Sequence, residues 1–95
     1  MNSASDRCET RNRTAVAVMI ASLDGRLSSE CTFTENLSSR GARVLVKQAW
    51  RSDDSVLIKA LEGNFQSEAR VVYSQILSGT SRAIGLALLD PIGQW

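Results

Sequence analysis

The sequence predicts an all-β domain, a small six-stranded antiparallel barrel preceded by a flexible N-terminal arm. Three observations carry that expectation. Six short runs alternate apolar and polar residues with a period of two. Clusters of Gly, Asp, Asn and Ser separate most of those runs and mark chain reversals. No stretch carries the 3.6-residue apolar periodicity of a long amphipathic helix. A sheet of this size leaves exposed edges that invite aggregation, so closure into a barrel is favoured over a two-sheet sandwich.

Residues 1–13 hold five charged side chains and no periodicity, which predicts a mobile arm ahead of a domain at residues 14–95. Residues 14–22 place Val16, Val18 and Ile20 on one face of a first strand. Asp24-Gly25 is a strong hairpin signal. Residues 27–37 form the second strand, with Leu27, Cys31, Phe33 and Leu37 expected toward the core and Ser28, Glu30, Thr32 and Thr34 toward water. After a corner at 38–41, the third strand spans 42–47 with Ala42, Val44 and Val46 inward. In the polar connection at 50–54, Trp50 is expected to cover one barrel end and the Asp53-Asp54 pair to lie in solvent. The fourth strand, 55–61, buries Val56, Ile58 and Ala60, and Glu62-Gly63-Asn64 turns the chain. A long fifth strand at 65–76 puts Phe65, Ala69, Val71 and Tyr73 on one face. Ser78-Gly79-Thr80 leads into the sixth, 82–89, through Ile84, Leu86 and Leu88; Pro91 ends it before a short tail at 92–95.

Ninety-five residues, 43% of them hydrophobic and only one of them proline, suit one domain with one core. The net charge of +1 argues against a nucleic-acid binder relying on bulk positive charge and against a polybasic membrane anchor. Five aromatic residues are few for a single-strand stacking platform. Residues 1–13 lack the apolar stretch of a secretory signal and no segment reaches the length of a membrane helix, so a soluble cytoplasmic protein is expected. The chain has no histidine, which removes Ser-His-Asp and Cys-His catalysis and every His-containing metal site. No glycine-rich loop precedes a helix. The expectation is a binding module, not an enzyme, with no cofactor. Cys31, on the expected core side of its strand, reads as a buried thiol, and Cys8 as an exposed one in the arm.

The segment Asn36-Leu37-Ser38-Ser39-Arg40-Gly41 carries the most chemistry. Asn36 and Ser38 lie two apart, so at an extended strand end they point to one side. Gly41 suits a position of positive φ. The corner thus shows an amide and a hydroxyl together, with Arg40 and Arg43 expected as surface charges nearby. Nine of the eleven basic residues are arginine, whose planar fork pairs with guanine edges or phosphates.

This corner resembles the second signature of PilZ domains, bacterial receptors for cyclic di-GMP: Asp or Asn, any residue, Ser, any two, then Gly. The likeness extends over residues 7–89, through a strand carrying Ala42, Val44 and Val46, the Val71-Val72 strand, and the closing Ile84-Gly85-Leu86-Ala87-Leu88. The family's other signature is two arginines separated by three residues, upstream of the corner. Arg7 and Arg11 meet that spacing, whereas Arg13 holds the place directly before the first strand; in that register Glu9 replaces the first arginine. The arm can therefore present Arg7 with Arg11, Arg7 with Arg13, or a single arginine. The resemblance implies a cyclic di-GMP receptor whose arginine arm (Arg7, Arg11, Arg13) folds over the nucleotide against Asn36, Ser38 and Gly41. Arginine would pair with guanine O6 and N7 or with phosphate, Asn36 would accept from a guanine N–H, Ser38 would add a polar contact, and Gly41 would allow close approach. A downstream protein partner of unknown identity is implied as well. The alternative is a PilZ-like adaptor in type IV pilus or motility regulation that binds no nucleotide.

Overall fold

The computed structural model describes residues 15–93, so the arm with Arg7, Cys8, Arg11 and Arg13, and the terminal Trp95, lie outside the described residues. The described chain is all β. Six strands, β1 (Ala17–Ser22), β2 (Glu30–Leu37), β3 (Gly41–Val46), β4 (Ser55–Ala60), β5 (Gln66–Ser78) and β6 (Ser81–Leu88), close into an antiparallel barrel in the order β1-β2-β3-β6-β5-β4. No helix is long and apolar enough to cross a membrane among the described residues.

The alternation expected for four strands is the alternation observed. Val18 and Ile20 of β1, Val44 and Val46 of β3, Val56 and Ile58 of β4, and Ile84 and Leu86 of β6 fill the barrel interior. Each strand contributes every second residue, because successive side chains leave opposite faces of a strand. Trp50 is buried at one end of this core, as expected, and its indole N–H donates to Glu30 Oε1 at 3.2 Å.

The second strand departs from expectation. Phe33 and Cys31 point outward and Thr34 is buried, so the thiol is exposed. The cause is register. Val18 and Ile20 of β1 lie opposite Thr32 and Glu30, and directly opposed residues share a face. Burying the valines and isoleucine of the neighbouring strands thus turns the polar side of β2 inward. Those polar groups find partners there: Thr34 Oγ1 accepts from the Val16 amide (3.0 Å), and Thr32 Oγ1 donates to the Leu45 carbonyl (2.5 Å). The Glu30 carboxylate accepts from the Lys47 amide (2.6 Å) as well as from Trp50. A bulge between Thr34 and Asn36 then changes the parity, letting Leu37 pack against the core although it lies three residues after Thr34.

β5 holds a second bulge between Val71 and Tyr73. Phe65, Ser67, Ala69 and Val71 face the core, but the extra residue sends Tyr73 to the outer wall instead of the expected interior. Two connections are also better anchored than expected. Asp54 accepts from the Arg26 guanidinium and from the Arg51 amide (2.8 Å), so it pins its loop and does not simply face solvent. The tail is tied back by Ile92, which exchanges backbone hydrogen bonds with Gln66 at 2.8 and 2.9 Å.

At the first hairpin, Gly25 takes φ 76°, a value that glycine adopts without steric cost. Asp24 organises this turn by accepting from Ser22 Oγ (2.5 Å) and the Arg26 amide (3.0 Å). These bonds hold its carboxyl below the ordinary value of 3.8. A lowered folded pKa contributes stability above the unfolded pKa and loses it as pH falls through the folded value. The stability gap between the parent and Asp24→Ala is therefore expected to be full from neutral pH down toward the ordinary value of 3.8 and to shrink as the pH falls below it. Urea melts of both proteins across that span check this, and a gap independent of pH would refute it.

Candidate functional site

The end of β2, the start of β3 and the middles of β5 and β6 build a groove of about 310 Å³ on the outer wall. Asn36, Ser38 and Gly41, the three corner residues picked out from the sequence, all line it, together with Arg43, Tyr73 and Gly85. Strand pairing explains this grouping. Asn36 lies opposite Arg43, Arg43 opposite Gly85, and Gly85 opposite Tyr73, so one row crosses four strands. The two bulges bring the ends of that row onto the outer face.

The corner is stiffened by its own side chain. The Ser38 hydroxyl accepts from the amides of Arg40 (3.3 Å) and Gly41 (3.2 Å), while the Ser38 amide donates to the Gly41 carbonyl at 2.9 Å. β6 adds a further tie where the Leu88 amide donates to the Arg40 carbonyl at 2.9 Å. Gly41 does not adopt a positive φ, contrary to expectation. Glycine is required there for another reason: a Cβ would lie 2.8 Å from the Leu86 carbonyl oxygen on the neighbouring strand.

Arg43, expected as a free surface charge, is the most engaged side chain of the groove. Its Nε donates to Glu35 Oε1 (2.6 Å), Nη1 to the Tyr73 hydroxyl (2.9 Å) and Nη2 to Gln75 Oε1 (3.2 Å). Its guanidinium carbon sits 5.8 Å from the Tyr73 ring centroid, within the range of a cation–π contact. Its hydrogen bonds to Glu35 first and Tyr73 second raise its pKa further above an already high value, so the group is a permanent cation. A guanidinium has five N–H donors, and three are used here, which leaves donor capacity for an anionic or carbonyl-bearing ligand. Tyr73 in turn rests on Gly85, where a Cβ would fall within 2.6 Å of ring atoms.

One of these residues carried a signal in the sequence that points to the groove. An isolated glycine in a strand interior marks a close approach, and Gly85 between Ile84 and Leu86 is such a glycine. The aromatic it admits was not legible, because a bulge decides which face Tyr73 takes. Arg40 is exposed beside the corner. Arg7, Arg11 and Arg13 lie outside the described residues. In chemical terms the described wall offers an amide, a hydroxyl, a fixed cation and a flat ring. No protein-family model, no curated protein and no solved structure matches this chain.

Proposed function

We propose that this chain is a cyclic di-GMP-binding receptor module of the PilZ type, working in the cytoplasm and passing the signal to a protein partner. The observation that carries the reading is the convergence of Asn36, Ser38 and Gly41 on one groove beside Arg43 and Tyr73. Cyclic di-GMP carries two phosphates and two guanines. A guanidinium with spare donors suits either group, and an amide suits a guanine edge. The Tyr73–Arg43 pair adds a flat surface of the kind on which purines stack. Arg7, Arg11 and Arg13 would supply the remaining cations from the N-terminal arm.

Calorimetric titration of the full chain with cyclic di-GMP tests the reading. Saturable heat is expected. Asn36→Ala should weaken binding about five- to tenfold, the worth of one neutral hydrogen bond. Removing a phosphate- or guanine-paired arginine, among Arg7→Ala, Arg11→Ala and Arg13→Ala, should weaken it about ten- to a hundredfold. No heat and no chemical-shift change near millimolar ligand would exclude the receptor. That result would favour the second reading, a nucleotide-independent adaptor. One observation supports it: the Ser38 hydroxyl is already bonded to two turn amides, a structural role sufficient to account for the serine.

A further inference from the structure

β5 is thirteen residues long, yet β4 pairs with it only from Gln66 to Arg70. Val71 is still closed by the preceding loop: the Asp53 amide donates to the Val71 carbonyl (2.7 Å), and the Val71 amide to the Asp54 carbonyl (3.0 Å). Beyond that point β5 pairs with β6 alone. Residues 72–78 are thus the longest run, among the described residues, of strand with a neighbour on one side only.

Backbone groups on an open edge need water or another strand. Proteins usually blunt such edges with charge, proline or bulges. Val72-Tyr73-Ser74-Gln75-Ile76-Leu77-Ser78 has no charge, proline or glycine, and its pairing with β6 is irregular only near the two ends of the run, at Val71/Tyr73 and Ile76/Ser78. Ile76 is 65% exposed, the most of any large apolar residue described, and Val72 and Leu77 are also exposed.

We propose that this edge joins a second copy of the chain, β5 to β5, in an antiparallel two-fold pair. The occupant follows from the edge itself. Its backbone requires an extended strand with its own free edge. Among the described residues no other strand leaves so long a run open, the next being Glu30–Phe33 of β2 on its β3 side, so an identical copy is the partner whose open run matches in length. Its lack of charge lets two copies meet without like-charge repulsion along the seam. With the dyad at Gln75, Tyr73 lies opposite Leu77 of the partner strand and Ser74 opposite Ile76. These are an aromatic–aliphatic pair and a small–large pair, with the two copies of Ile76 diagonal to each other. The seam shares Val72 and Tyr73 with the groove but rests on the open strand edge and not on the nucleotide reading.

Sedimentation velocity of the full chain over a range of concentrations tests the assignment. The expected species at high concentration has twice the 10.3 kDa chain mass. Ile76→Lys and Leu77→Lys each bring two like charges into the seam and should weaken association about tenfold or more. Leu89→Lys, at an apolar position outside the edge whose exposure lies between those of Ile76 and Leu77, should leave association unchanged. Circular dichroism confirms that each variant folds. Amide exchange in residues 72–78 should slow as concentration rises. A monomer at every concentration overturns the proposal, as does a dimer indifferent to both edge lysines, or one that Leu89→Lys disrupts equally.

Discussion

Trp50→Ala is expected to lower the free energy of unfolding by about 3–5 kcal/mol, the usual cost of emptying a large buried aromatic site. Trp50 is 1% exposed and belongs to the core cluster, where the barrel walls surround it. Small domains have about 5–15 kcal/mol of stability in total, so this one change removes a large share. The cavity dominates over the lost hydrogen bond, because Glu30 keeps the Lys47 amide as a donor at 2.6 Å. Trp50→Phe separates the two effects. It retains a ring while losing the N–H, and should cost less than half as much. Urea unfolding of the three proteins gives the numbers; a loss below about 1 kcal/mol for the alanine variant would show that the barrel end collapses onto the vacancy.

Gly41→Val is expected to be the next most damaging change, at about 1–3 kcal/mol or more, the range found for overpacking a fitted site. A Cβ at Gly41 meets the backbone carbonyl of Leu86, which cannot rotate away as a side-chain tip can. The β3–β6 seam must part at the Gly41–Ala87 pair, and the Ser38 turn held against it must shift as well. Gly63 is the informative control. It has φ 91° and open space around its Cβ direction, so Gly63→Ala costs only conformational strain, about 1 kcal/mol. Thermal melts should therefore rank Gly41→Val below Gly41→Ala, and both changes should weaken any ligand held in the groove. If Gly41→Val melts no lower than Gly63→Ala, the steric account of Gly41 fails.

The candidate site was only partly legible before folding. Asn36, Ser38 and Gly41 could be picked out because turn chemistry and strand-end spacing are local properties, and the structure does bring them to one groove. The reason assigned to Gly41 was wrong because its constraint comes from Leu86, far away in sequence and adjacent only across the β3–β6 pair. Arg43, expected as a surface charge, and Tyr73, expected on the face of Phe65 and Val71, were not linked to the corner for a related reason. Their contact links positions thirty residues apart and exists because β3 and β5 flank β6 with Gly85 between them.

Alternation of side chains was enough to locate all six strands and the turns between them, and the inward faces of β1, β3, β4 and β6, since period two is written in consecutive residues. The same alternation says which residues share a face without saying which face is inside. For β2 that choice belongs to its neighbours. The apolar burial demanded by Val18, Ile20 and Val44 outweighs leaving Phe33 and Cys31 in water, given that Thr34 and Glu30 find hydrogen-bond partners within the barrel. The bulges in β2 and β5 lie beyond sequence pattern for a similar reason. Each relieves a mismatch between two paired strands, so neither strand alone records it. They turn Leu37 inward and Tyr73 outward, and with Tyr73 they complete the groove.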